Sequence, residues 1–172
     1  MKEWIPIPGT NKDALLKAAL EEFSNKGYEG ANITELASKA NMTTGAVYHH
    51  FGSKANLYEV IRSEMEQRIL DRMEGAVSLF EEDTLRALEA ALITGLDFAV
   101  KQQICRLVSE IPPYHKQDKI KLYLASVHPC DMPVELMLIS SWRSLLMAIA
   151  NDEIDVNQGK SLIKWLFKKG SL

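Results

Sequence analysis

Four helix-start signals crowd the stretch from Thr10 to Ser53, and they restrict this chain more than any other feature of its sequence. Thr10 reads as an N-cap, with Asp13 in the first turn and Leu16, Leu20 and Phe23 at the spacing of one helical face. Asn32 precedes Ile33, Leu36, Ala37 and Ala40, with Glu35 at the capping-box position. Thr43 opens Thr44-Gly45-Ala46-Val47-Tyr48-His49-His50-Phe51, and Ser53 opens a longer run from Lys54 to about Gly75. Gly27 and Gly52 suit left-handed helix ends, and Asn41 suits a positive φ in the turn before Thr43. The spacing predicts three short helices over residues 10–52, the last two joined by a turn of three or four residues. Two short helices so joined form a helix-turn-helix.

The remainder keeps the helical period. Leu85, Leu88, Leu92 and Leu96 share a stripe, and Pro112-Pro113 breaks the chain. Ile120, Tyr123, Leu124 and Val127 form a short amphipathic piece; Pro129 and Pro133 bracket another break. Residues 134–150 are nearly all apolar, and residues 158–169 close the chain. No strand alternation and no internal repeat is present. The expected fold is all-α: an N-terminal three-helix helix-turn-helix domain, joined by a long helix to a C-terminal helical bundle. The expected division is 9–69 for the first unit, including the start of the connecting helix, and 70–172 for the second.

Composition removes several classes of function. The net charge is −3, so DNA binding must rest on a local surface rather than on global basicity. Two cysteines, Cys105 and Cys130, make no disulfide framework and read as reduced thiols of a cytoplasmic protein. No apolar run is long enough to span a membrane, and the N-terminus lacks the pattern of a signal peptide. No HExxH motif, nucleophile elbow or Gly-rich phosphate loop is present, and the chain reads as no enzyme and as needing no cofactor. His49 and His50 point about 100° apart on a helix and do not converge on one metal ion. His128 and Cys130 read as loop residues, and Lys160, Lys164 and Lys168 as a solvated helix face.

In a helix-turn-helix the second helix enters the major groove, and its N-terminal residues meet base edges. Thr43 and Thr44 offer hydroxyls there, and Gly45 and Ala46 add no bulk. Tyr48 and His49 lie further along, within reach of phosphates. Lys54 sits at the next helix start, where backbone N–H groups and an ammonium can share a phosphate. The alternative is a helical-bundle ligand-binding or scaffold protein without DNA binding.

The run Leu36-Ala37-Ser38-Lys39-Ala40-Asn41-Met42-Thr43-Thr44-Gly45-Ala46-Val47-Tyr48-His49-His50-Phe51-Gly52-Ser53-Lys54 resembles the signature of the TetR family of bacterial transcriptional regulators. Ala18 to Phe23 with Gly27-Tyr28 extends the resemblance to roughly residues 10–60, with Asn41 and Met42 standing where the family usually has Gly and Val. The resemblance implies that Thr43, Thr44, Gly45 and Ala46 face base edges. It implies that Tyr48, His49, Lys54 and, on the second helix, Thr34 hold the DNA backbone, while His50 and Phe51 pack inward. It further implies a repressor acting on a pseudo-palindromic double-stranded operator and released by a small-molecule effector.

A homodimer is expected from residues 134–150 and 158–169, whose apolar residues cover more than one face of each helix. The expected interface residues are Trp142, Leu145, Leu146, Ile149, Leu162, Trp165 and Leu166. The expected effector pocket is lined by Phe80, Leu92, Leu96, Phe98, Leu107, Tyr114, Tyr123, Met137 and Met147, which favour a largely apolar ligand.

Overall fold

A computed structural model of the chain describes residues 9–80, 83–111 and 118–168. Nine helices follow one another among these residues: α1 (Asn11–Gly30), α2 (Ile33–Lys39), α3 (Thr44–Phe51), α4 (Lys54–Val77), α5 (Thr84–Lys101), α6 (Cys105–Ser109), α7 (Lys119–Val127), α8 (Val134–Ala150) and α9 (Val156–Leu166). The expected all-α class and the order of elements hold.

The N-terminal helices begin at the expected caps. Thr10 accepts from the Asp13 N–H, Asn32 from Thr34, Thr43 from Ala46 and Ser53 from Asn56. Each side chain thereby satisfies a first-turn N–H that has no partner inside its helix. Glu35 does not complete a box with Asn32; its carboxylate lies 2.9 Å from the Lys26 ammonium instead. Asn41 takes a φ of 53°, which sets the turn between α2 and α3.

Gly27 interrupts α1 rather than ending it. Its φ of 71° breaks the helical path, and the chain turns on to Gly30. Glu110 explains the break: its Oε2 accepts from the Tyr28 N–H at 2.9 Å, and a Cβ on Gly27 would overlap its Oε1. The kink inside α1 is thus matched by a side chain from the C-terminal end of α6.

Leu15, Ala19 and Phe23 of α1, Leu36 of α2, Val47 of α3 and Leu57 of α4 are buried together in the N-terminal part of the hydrophobic core. The Phe23 and Tyr28 rings meet Tyr58 of α4 edge to face, at 5.0 and 5.2 Å. With 24 residues, α4 is about 36 Å long and runs from this core into the C-terminal bundle. There it packs most extensively on α5, while α6 sits between α1 and α8, and α9 covers α5 and α8. Trp142 of α8 is 1% exposed and donates its Nε1–H to the Leu92 carbonyl at 2.9 Å. Among the described residues no helix is long and apolar enough to cross a membrane.

Two elements differ from expectation. The short α6 was not foreseen, because five residues carry too little period to declare a helix. The last helix begins at Val156, where Asp155 and Gln158 form a reciprocal capping box.

Candidate nucleic-acid interface

Helix α3 presents its first turn and one edge to solvent. Thr43, Gly45, His49 and His50 are exposed, Thr44 and Ala46 are half-buried, and Val47 alone is fully buried. The Thr43 hydroxyl accepts from the Ala46 N–H at 3.1 Å, which leaves its proton for an outside acceptor. A Cβ on Gly45 would meet nothing closer than the Thr43 hydroxyl at 3.9 Å. Nothing inside the protein requires glycine there, and glycine in a helix costs about 1 kcal/mol against alanine.

Tyr48 is exposed beside this turn, and Thr34 is exposed on the first turn of α2. Lys54 starts α4 close to α1: its ammonium lies 4.9 Å from the Tyr28 ring centroid and donates to the Glu29 carbonyl at 3.3 Å. Of the expected eight, Thr34, Thr43, Gly45, Tyr48 and His49 are exposed, while Thr44, Ala46 and Lys54 are half-buried. The inward packing expected of His50 is corrected: the ring is exposed, in edge-to-face contact with His49 at 5.6 Å, and only Phe51 turns toward the core. His50 lies in the last turn of α3, which ends at Phe51 before the Gly52 C-cap.

Much of the basic charge near this surface is already engaged. Lys26 lies 2.6 Å from Glu22 and 2.9 Å from Glu35, and Lys39 lies 3.3 Å from Glu22 and 3.6 Å from Glu21. Burial alone would raise the Glu22 carboxyl, but the hydrogen bonds from Lys26 and Lys39 outweigh it and hold it below its ordinary value. Lys17 pairs with Asp13 at 2.8 Å.

A polar hub, absent from the sequence expectations, ties α1 and α4 to α6. Arg62 of α4 is 1% exposed. Its Nε–H donates to Glu66 at 2.9 Å, its Nη1 to the carbonyls of Leu107 and Glu110, and its Nη2 to Val108 at 3.1 Å. Tyr58 donates to the Leu107 carbonyl and to Glu110, and burial pushes its phenol well above its ordinary value, so it keeps that proton. One arginine and one tyrosine thus close the C-terminal end of α6, whose Glu110 meets the kink in α1. The available signal was position: Tyr58, Arg62 and Glu66 lie in the stripe of Ile61, Met65 and Ile69, where charges do not belong unless paired.

The expected pocket residues do not converge. Leu92, Leu96 and Leu107 are sealed in the core, and Leu96 packs beneath Gly159 of α9. Phe98 lies under the Arg72 guanidinium at 3.9 Å. Phe80, Tyr123 and Met147 are half-buried on separate elements, and Tyr114 lies outside the described residues. Met137 is 74% exposed, which corrects its place as a pocket wall. An apolar period reports burial, not whether the buried side chain faces a cavity or a neighbour. A 230 Å³ cleft lies elsewhere, between Ser24 and Asn25 of α1 and Gln103, Arg106 and Ile149.

The expected interface residues divide in two. Leu162, Trp165 and Leu166 of α9 are exposed, and Leu145 and Ile149 are half-buried. Trp142 and Leu146 are corrected: both are buried inside their own subunit, because α8 turns that face onto α5 and α6. His128 and Cys130 go to separate partners, Thr84 at 2.8 Å and the Met132 carbonyl at 3.0 Å.

Residues 15–61 match the family model described as bacterial regulatory proteins, tetR family. The HTH-type transcriptional regulator AcrR of Shigella flexneri is 33% identical over 102 residues, covering 59% of this chain and 47% of that protein. The HTH-type transcriptional repressor AcnR of Corynebacterium glutamicum is 33% identical over 64 residues, covering 37% and 34%. The chain thus spans about half the length, or less, of these curated relatives. Among solved structures, a putative tetR family transcription regulator from Shewanella sp. PV-4 is similar with a TM-score of 0.69 at 24% identity, over 92% of this chain and 96% of that one. The transcriptional regulator FadR of Bacillus subtilis, crystallised with stearoyl-CoA, is similar with a TM-score of 0.63 at 14% identity, over 90% and 97%. These two show a shared fold.

Proposed function

We propose that this chain is a cytoplasmic DNA-binding repressor of the TetR family that reads a pseudo-palindromic operator as a homodimer and is released by a small, largely apolar ligand. The observation that carries the DNA reading is the open first turn of α3, where Thr43, Thr44 and a glycine that the protein interior does not need face outward. Residues 9–69 form the reading unit and residues 70–172 the effector-binding and dimerisation unit, with α4 continuous between them. The neighbour of like fold crystallised with stearoyl-CoA supports a small-molecule effector.

The test is an electrophoretic shift with DNA from beside the chain's own gene. Thr44→Ala is expected to lower discrimination among operator sequences. Lys54→Ala is expected to weaken all sequences alike and to reduce the slope of log affinity against log salt by about 1. Equal loss of discrimination in both variants would refute these roles.

The dimer reading rests on Leu162, Trp165 and Leu166, which leave an apolar surface on α9. Trp165 is 52% exposed, so Trp165→Glu is expected to yield folded monomers in sedimentation, with unchanged helical content by circular dichroism. A variant that stays dimeric places the interface elsewhere.

A further inference from the structure

Arg143 of α8 is enclosed among α4, α7 and α8, with its side chain 11% exposed. Its Nη1 lies 2.7 Å from Asp118, the residue that also caps α7 through the Lys121 N–H. Its Nε and Nη2 are buried and meet no hydrogen-bond acceptor among the described residues. These two N–H groups lie on the same side of the guanidinium and point the same way, as the fork that a carboxylate fits with both oxygens. The acid near this fork is Glu66, whose Oε1 stands 3.9 Å from Nη2, an ion-pair contact too long for a hydrogen bond, and accepts its hydrogen bond from Arg62. A buried charge with two unmet donors is costly, so the arrangement favours an incoming acceptor. Ile139, one turn away on α8, and Ile120, two residues past Asp118, are buried and apolar.

We infer that Arg143 is the recognition residue for an effector that carries a carboxylate on an apolar body, held bidentately by Nε and Nη2. The assignment rests on the ligand-responsive reading above and names the chemical class of the ligand. A carboxylate satisfies both donors at once, whereas a hydroxyl satisfies one and an ammonium repels the site. The same site has a physical route to the DNA surface. Arg143 neighbours Glu66, Glu66 holds Arg62, Arg62 holds the last carbonyls of α6, and Glu110 beyond them meets the kink in α1.

The experiment uses the full chain and four probes: octanoate, benzoate, octan-1-ol and benzyl alcohol. Octanoate or benzoate is expected to raise the melting temperature saturably, because a ligand of the native state stabilises it. The matched alcohol is expected to bind at least about tenfold more weakly, the effect of losing charge-assisted bonds. Arg143→Lys keeps the charge and loses the fork, and is expected to bind the acid about tenfold more weakly with helical content unchanged. Arg143→Gln serves as the second variant should the lysine variant fail to fold. Equal binding of acid and alcohol, unaltered acid binding by the folded variant, or no saturable response to either acid overturns the assignment. Operator binding is measured on the same samples without probe. Loss of operator binding with acid binding intact defeats the regulator reading alone; the reverse pattern defeats this assignment alone.

Discussion

Arg62→Met is expected to lower the stability of the chain by about 3–5 kcal/mol, the cost of breaking a buried ion pair from one side. The methionine matches the stem of arginine and removes its four hydrogen bonds. Glu66, 3% exposed, then loses its hydrogen bond from Arg62, and the carbonyls of Val108 and Glu110 lose their donor. Loss of these buried bonds outweighs any gain from the apolar replacement. Urea unfolding of the purified variant measures the effect. An unchanged midpoint would mean that water reaches the hub and that α6 is closed by something other than Arg62.

Trp142→Ala is expected to cost a similar amount, about 3–5 kcal/mol, from a cavity where α4, α5 and α8 meet. Gly95 shows how tight that junction is: a Cβ there would fall 3.1 Å from Trp142 Cζ2 and 3.3 Å from Ile69 Cγ2. The substitution also leaves the Leu92 carbonyl without its Nε1–H donor. Calorimetry is expected to show a melting temperature lower by roughly 10 °C, since 1 kcal/mol moves a chain of this size by about 2–4 °C. A variant that melts normally but sediments as a monomer would return Trp142 to the subunit interface.

The two predictions mark where the sequence was legible and where it was not. Caps and turns are local chemistry, so Thr10, Asn32, Thr43 and Ser53 could be read as helix starts without any knowledge of tertiary contacts. Asn41 was legible for the same reason, because a positive φ is a property of one residue. The exposed turn of α3 followed from those caps, and with it the candidate DNA contacts. Trp142 was not legible in this way. A helix apolar nearly all round tells how much must be covered, not whether the cover is the same chain or another. The pocket walls were illegible on the same ground, as Leu96 and Met137 share an apolar character and occupy opposite environments. Gly27 was half legible: its left-handed backbone is local, but the reason for it is Glu110, far along the chain. Arg62 and Arg143 escaped because the sequence pattern files charged residues with the solvent, and only packing reveals a charge that the fold has enclosed.

The internal pairing of Lys26 and Lys39 with Glu22 has a consequence for how the molecule finds its target. Affinity for arbitrary duplex comes mainly from releasing condensed counterions, and an ammonium neutralised by its own protein releases few. On the proposed reading, such a head would spend little time sliding on the wrong DNA and be weakly titrated by the bulk of a genome. It would search by brief collisions through solution and obtain its residence time from base contacts made by α3 at the correct site. A single base change in a half-site is therefore expected to shorten occupancy more steeply than it would for a basic head, whose grip on phosphates persists wherever it lands.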